Sequence, residues 1–336
     1  MATSKAKKAK KSNAAKSKPT TSKPKTTAAK VDKKTTVVAE KTEAKNKTES
    51  KKEEVKVITA KKPSAVKEFF SRKFDASENI LTIFKDTHII GALIGEILGV
   101  ALITMVALTL GLFNPLYFIF GYLVVTLAVF RLSGANLNPI VTVGMLATRR
   151  MSAIRGVLYL IAQVLGAWVG YVVIKGFFSV GINSGAIDGT KAALPSLTPA
   201  ADLTVATEGY SMFWPIVMLE FLGAIVIAFT FARALTYKKS AFTFSIVASA
   251  GVFLALLLCV VICSNFFYTN ENIFILNPAI AFVYGLFPAS AEGFDALMQA
   301  LMPMMVTYVV FPVLGGIIGF YVSDFASKLS GHELTA

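Results

Sequence analysis

The chain has 336 residues, 54% of them hydrophobic, and its formal net charge at pH 7 is +14. Its mean hydropathy of +0.62 and its long apolar runs exclude an ordinary soluble domain. The charge is unevenly distributed: residues 1–78 hold 23 Lys or Arg and 9 Asp or Glu, while the other residues hold 11 of each sign. All of the net positive charge therefore lies in the N-terminal segment.

Residues 1–78 are rich in Lys, Ala, Ser, Thr and Pro. This composition cannot bury enough apolar surface to offset its ordering entropy, so we predict a disordered, cytoplasmic tail and no signal peptide. Its lysines could hold anionic lipid, or nucleic acid non-specifically. Its only aromatic residues, Phe69, Phe70 and Phe74, offer little for base stacking.

Six apolar runs follow, each of about the 20 residues that a membrane-spanning helix needs. We predict spans at about 88–111, 115–132, 154–176, 212–235, 241–264 and 301–325. Residues 177–211 contain Gly, Pro, Ser, Thr and Asp, which predicts a long exposed loop.

Two polar stretches with an Asn-Pro pair interrupt the apolar sequence, at 133–144 (SGANLNPIVTVG) and 275–282 (ILNPAIAF). About ten apolar residues follow each pair, enough for half a membrane and too few to cross it. A broken backbone at membrane depth is tolerated only where protein buries it or where it lines a water-filled cavity. The two stretches therefore predict re-entrant half-helices beside a polar path.

The two halves of the apolar region, about 85–176 and 212–326, repeat each other. The matches are Glu96–Gly99 with Glu220–Gly223, Asn138-Pro139 with Asn277-Pro278, and 164–171 with 313–320. Each half has three spans, an odd number, so the second half must be inserted upside down relative to the first.

Inversion brings the N-termini of the two half-helices together near the middle of the membrane. Pro139 and Pro278 suit the first turn of a helix, where the missing N–H costs nothing. Each N-terminus carries about half a positive charge, which repels cations and protons. Asn138 and Asn277 would present their amides to a passing neutral molecule.

The cations outside the tail indicate the orientation. Arg149, Arg150, Arg155, Lys238 and Lys239 fall on the same side of a six-span path as the tail. The positive-inside rule then predicts a multi-pass protein with both termini in the cytoplasm, and we expect it in the cell membrane.

Glu96 and Glu220 are costly in a membrane and need partners. One reading makes them a proton or ion site. In the other reading, each carboxylate accepts hydrogen bonds from the N–H groups of a re-entrant loop, and Gln163 helps in the first half. The symmetric placement of the two glutamates favours this second reading.

We find no pattern of a catalytic or metal centre. Cys259 and Cys263 lie on one helical face, but two thiols make an incomplete metal site. Neither His88 nor His332 has a nucleophile or carboxylate arranged near it in a recognisable catalytic pattern. We therefore predict no enzyme, no cofactor and no metal.

Residues 85–330 resemble the major intrinsic protein family, the aquaporins and glycerol facilitators. The resemblance rests on SGANLNP, Asn277-Pro278-Ala279, Glu96 with Glu220, Ala162-Gln163 and Pro312–Gly315. It implies an all-α membrane domain at 79–336, with six helices, two re-entrant half-helices in an inverted repeat, a pore in each subunit and a homotetramer.

The chain departs from the family pattern at two pore positions. Ile140 follows the first Asn-Pro pair in place of alanine, and Ile280 stands where the family normally has the arginine of its outer filter. By the resemblance, Phe118 is the filter aromatic, and Ile262 or Asn265 is the filter residue of the fifth span. Without arginine we expect a wider, more apolar filter that is less effective against cations.

We predict a passive channel for small uncharged solutes, such as water, glycerol or similar polyols. Glycerol facilitators usually carry Asp where this chain has Ala281, so the choice between water and polyol stays open. One alternative is an ion- or proton-coupled transporter using Glu96 and Glu220. Another is a membrane scaffold that acts through its tail and has a closed pore.

Overall fold

The structure is a computed structural model, and it describes residues 87–111, 115–185, 213–266, 274–285 and 294–330. These residues are helical apart from short connections, and no strand occurs among them. The predicted tail at 1–78 and most of the predicted loop at 177–211 lie outside the described residues.

Nine α-helices occupy the described ranges. They are α1 (Thr87–Val106), α2 (Pro115–Ser133), α3 (Pro139–Ala147), α4 (Ala153–Asn183), α5 (Phe213–Ala234), α6 (Ala241–Phe266), α7 (Pro278–Gly285), α8 (Phe294–Met305) and α9 (Phe311–Leu329). The π-helical turns Ala107–Gly111 and Val306–Val310 extend α1 and join α8 to α9, and the 3₁₀ turn Leu235–Tyr237 follows α5.

Six helical segments are long and apolar enough to cross a membrane, in the order that the sequence predicts. Their outward faces are apolar as well: Ile94, Leu98 and Leu102 form an exposed stripe along α1, and Trp168 and Val172 do so on α4. A helix that is apolar all round is typical of a membrane span.

The third span is longer than predicted. We expected a loop from residue 177, but α4 continues to Asn183 and contains 31 residues. Phe177, Phe178 and Val180 extend the apolar helical pattern past Gly176, which a helix tolerates. At 1.5 Å per residue α4 measures about 46 Å, so it is longer than a hydrocarbon core of about 30 Å.

The two Asn-Pro stretches form short helices. Half-helix α3 has 9 residues and half-helix α7 has 8, and each begins at the proline of its pair. At 1.5 Å per residue these lengths are about 12–14 Å, less than half of the hydrocarbon core. The predicted all-α fold of six spans and two re-entrant half-helices is confirmed.

Corresponding helices of the two halves pack closely in the same way. On α4, a Cβ added at Gly166 or Gly170 would lie 2.5 Å from the carbonyl oxygen of Ile97 or Ala101 on α1. On α9, a Cβ at Gly315 or Gly319 would lie equally close to the carbonyls of Phe221 or Ile225 on α5. Glycine therefore lets the first and third spans of each half approach backbone to backbone.

We expect Gly166→Ala to lower the thermal stability of the protein in detergent, because the added methyl group must push α4 away from α1. Overpacking of this kind costs about 1–3 kcal/mol. Gly176→Ala, on the same helix, is the matched control, since no atom of a neighbouring helix lies within 4 Å of its added Cβ. Equal melting temperatures for the two variants would contradict this packing.

Candidate functional site

The chain leading into each half-helix adopts an unusual backbone. Ala135, Leu137 and Leu276 have positive φ angles of 54°, 55° and 49°. Such conformations are costly for residues with a side chain, so the surrounding structure must hold them in place. Leu137 and Leu276 each directly precede the asparagine of an Asn-Pro pair.

Glu96 of α1 holds the first of these loops. One of its carboxylate oxygens accepts the backbone N–H of Asn136 at 3.1 Å, and the other accepts that of Leu137 at 2.8 Å. Glu96 is fully buried. Its charge is therefore matched by donors that would otherwise be unsatisfied at membrane depth.

Glu220 of α5 does the same in the second half. Its carboxylate accepts the N–H of Ile275 at 2.7 Å and the N–H of Leu276 at 3.2 Å. This glutamate is also fully buried. The two acids thus occupy equivalent positions beneath the two loops.

The repeated Glu-x-x-Gly motif has a structural explanation. Residues three apart share one face of a helix, so Gly99 lies beside Glu96 and Gly223 lies beside Glu220. A Cβ at Gly223 would come within 2.7 Å of the side chain of Leu276, and a Cβ at Gly99 would collide with Leu137. In each motif the glutamate binds the backbone of the loop, and the glycine leaves room for the leucine side chain of that loop.

The two asparagines link the halves by a reciprocal pair of hydrogen bonds. Asn138 donates from Nδ2 to the carbonyl oxygen of Leu276 at 2.8 Å, and Asn277 donates from Nδ2 to that of Leu137 at 3.1 Å. Their Oδ1 atoms accept the backbone N–H groups of Ile140 and Ala279, at 2.9 and 3.1 Å. Each asparagine therefore caps its own half-helix and binds the opposite loop.

This arrangement brings the N-termini of α3 and α7 together. Pro139 and Pro278 occupy the first helical positions, where the absent N–H leaves no bond unmade. The positive ends of two helix dipoles consequently converge at the asparagine pair.

The groups that donate hydrogen bonds to the buried glutamate differ between the two halves. Gln163 donates from Nε2 to Glu96 at 2.8 Å and to the hydroxyl of Thr142 on α3, also at 2.8 Å. Its Oε1 has no hydrogen-bond partner. In the second half the repeat position holds Pro312, which has no side-chain donor, so Glu220 relies on the N–H groups of its loop.

The candidate filter residues differ in their placement. Phe118 and Ile280 are buried in the core, and Ile262 is half-buried against the same cluster. Asn265 lies exposed at the end of α6, and its amide donates to the carbonyl of Val261 at 2.8 Å. Of the two candidates on α6, only Ile262 faces the protein interior.

Ile140 packs against the sixth span. A Cβ at Gly316 would lie 2.5 Å from its carbonyl oxygen and 2.9 Å from its Cγ2 atom. Gly316 therefore makes room for the bulk that isoleucine adds beside the first Asn-Pro pair.

A polar cavity of about 510 Å³, which we call the basic cavity, lies at one end of the bundle. The residues that line it include Asn136, Arg149, Arg150, Arg155 and Lys238. In the sequence these cations indicated only the orientation, and Asn136 had no predicted role. The clustering of three arginines within seven residues after α3 was the signal that could have indicated the cavity.

Within the described residues, no group of three or more His, Cys, Asp or Glu side chains could hold a metal ion. Cys259 and Cys263 are both buried, and Cys259 donates to the carbonyl of Leu219 at 3.3 Å. The two cysteines pack between helices.

Fold and site together define a membrane protein whose two inverted halves meet at a pair of half-helices. A family model described as "Major intrinsic protein" matches residues 114–323. The match covers more than half of the chain, so the chain belongs to the major intrinsic protein family. Members of this family are channels, which confirms the prediction that the chain is not an enzyme and that it is a multi-pass integral membrane protein.

Individual relatives match over shorter stretches. Aquaporin-1 of Sus scrofa is 40% identical over 85 residues, which are 25% of this chain and 29% of that protein. Aquaporin PIP2-7 of Musa acuminata is 34% identical over 110 residues, which are 33% of this chain and 34% of that protein. The chain thus covers about a third of the length of these relatives.

The fold is also similar to a solved structure, the aquaglyceroporin from Plasmodium falciparum. The TM-score is 0.52 with 18% sequence identity, over 72% of this chain and 99% of the solved chain. This likeness concerns the fold alone.

We expect Glu96→Gln to destabilise the protein, because a neutral amide accepts the N–H groups of Asn136 and Leu137 less well than a carboxylate. Losing a hydrogen bond to a charged group costs about 1.5–3 kcal/mol. Ser184→Ala, at an exposed turn directly after α4, is the control for loss of a polar group. Thermal unfolding in detergent measures both, and an unchanged melting temperature in Glu96→Gln would contradict the supporting role.

Proposed function

We propose that the chain is a passive channel for small uncharged solutes, such as water, glycerol or similar polyols. The observation that carries the proposal is the reciprocal hydrogen bonding of Asn138 and Asn277 across the two halves. A side-chain amide has two N–H donors. Each asparagine gives one of them to the opposite loop, and in our proposal the second is offered to the permeating molecule.

The same geometry supports the exclusion of cations. Two half-helix N-termini converge on the asparagine pair, and each contributes about half a positive charge. A neutral solute can accept the amide protons with its oxygen lone pair, whereas a cation is repelled and has no carboxylate to pair with at that point. The carboxylates of Glu96 and Glu220 are already used by the loops.

In our proposal Phe118, Ile280 and Ile262 set the width of the outer part of the path. All three are apolar and lie on the buried side of their helices. With isoleucine in place of an arginine, the filter offers fewer hydrogen-bond donors and admits polyols as well as water. Ile140 restricts the path beside the first half-helix.

We further propose that the protein is a homotetramer in the cell membrane, with both termini and the Lys-rich residues 1–78 on the cytoplasmic side. The orientation is supported by Arg149, Arg150, Arg155 and Lys238, which gather at one end of the bundle. The tail could bind anionic lipid, or nucleic acid non-specifically.

The coupled-transporter alternative is less well supported. It requires a carboxylate that faces the path and exchanges protons or ions during transport. Glu96 and Glu220 are fully buried, and each accepts at least two loop hydrogen bonds. The scaffold alternative depends on residues 1–78, which lie outside the described residues.

Proteoliposomes given an osmotic shock test the channel. We expect water and glycerol to equilibrate faster than in empty vesicles, at a rate that an imposed pH gradient does not change. Asn277→Ala should slow both solutes, because it removes one central amide and one bond between the halves. Rates equal to those of empty vesicles for both solutes would overturn the proposal, and uptake driven by the pH gradient would favour the transporter.

The filter assignment has its own test. Phe118→Ala should raise the ratio of glycerol to water permeability, because a large side chain is removed from the proposed constriction. Asn265→Ala is the matched control at the exposed end of α6, and its ratio should stay at the wild-type value. An unchanged ratio in Phe118→Ala would place the constriction elsewhere.

A further inference from the structure

We propose that the basic cavity is a binding site for a phosphate-bearing anion, either a soluble phosphate compound or a phosphorylated lipid headgroup. We also propose that the bound anion obstructs the path to the asparagine pair. The binding step is independent of the channel, whereas the obstruction rests on the proposed function.

The first support is the charge of the lining. Arg149, Arg150, Arg155 and Lys238 surround the cavity. Asp324 of α9 forms an ion pair with Arg150, but no carboxylate of the described ranges pairs with Arg155 or Lys238. Guanidinium groups bind phosphate oxygens through two parallel hydrogen bonds, so this lining favours phosphate over a small monovalent anion.

The second support is a pair of buried donors without acceptors. Asn136 is only 3% exposed, and its side-chain Nδ2 has no hydrogen-bond partner although the residue lines the cavity. The Nε atom of Arg155 is likewise buried and unpartnered. Buried polar groups are nearly always hydrogen-bonded, so each unsatisfied donor indicates a missing acceptor. The ionised oxygens of a phosphate group are strong acceptors and can supply what these donors lack.

The third support is the start of α4. Ser152 caps this helix, since its Oγ accepts the backbone N–H of Arg155 at 3.3 Å, and Ser152 also lines the cavity. The positive end of the α4 dipole therefore lies at the cavity and favours an anion there.

The volume fits such a ligand. One water takes about 30 Å³ of liquid volume, so a cavity of about 510 Å³ has room for a phosphorylated group with several waters. Asn136 lies two residues before Asn138 on the same loop. In our proposal, an anion bound to the Asn136 amide lies on the approach to the asparagine pair.

Calorimetric titration of the full chain in phosphatidylcholine nanodiscs tests binding directly. The soluble probes are inorganic phosphate and inositol trisphosphate, and the lipid probe is a nanodisc that also contains phosphatidylinositol bisphosphate. We expect saturable binding, weakened about tenfold in Arg155→Gln and reduced in Asn136→Ala, because each removes a donor to the phosphate. Higher ionic strength should weaken it further.

Lys239→Gln is the matched control, since this lysine adjoins Lys238 but does not line the cavity. It should bind like wild type. Binding by the Lys-rich tail would be equal in all variants, so the difference between Arg155→Gln and Lys239→Gln isolates the cavity. Weaker binding of inorganic phosphate in Arg155→Gln identifies a site for soluble phosphate compounds, and weaker binding of the lipid probe alone identifies a site for a headgroup held in the membrane.

Equal affinity in wild type, Arg155→Gln and Asn136→Ala, or no binding of any probe, would overturn the site. The obstruction is measured separately, as slower osmotic equilibration of proteoliposomes with the anion on both sides. If the anion binds but the rate of osmotic equilibration is unchanged, the proposed obstruction is wrong and the proposed binding site stands. Vesicles that conduct nothing without anion would instead contradict the proposed channel.

Discussion

The structure depends on satisfying backbone N–H groups that are buried within the protein. Two loops break the helical backbone at membrane depth, and their donors would each cost several kcal/mol if left unpaired. Glu96 and Glu220 supply the acceptors, each from a fully buried position. A buried carboxylate and a broken loop are both unfavourable alone, and each removes the cost of the other.

Leu137 and Leu276 connect this support to the centre of the molecule. Each donates its N–H to the glutamate of its own half and accepts, at its carbonyl, the amide of the asparagine from the other half. The left-handed backbone of these leucines points the two groups to their partners. A substitution at either glutamate should therefore affect the asparagine of the opposite half-helix, because a single leucine bonds to both.

The internal repeat explains the features that the two halves of the site share, but not the differences between the halves. Gln163 supports the first half, Pro312 stands in its place in the second half, and the cations gather at one end. Inverted repeats give both half-helices the same local geometry while the two membrane faces meet different surroundings. A basic cavity on one side is thus compatible with a nearly symmetric centre.

The sequence alone determined the six spans, the inverted repeat and the two half-helices, because hydropathy, proline and motif order report directly on membrane burial. It also singled out the acids and amides of the site. Only the tertiary structure decided that Leu137 and Leu276 link the halves, that Asn265 lies exposed, and that α4 continues to Asn183. These features follow from backbone angles and from contacts between distant segments, which no local pattern of residues encodes.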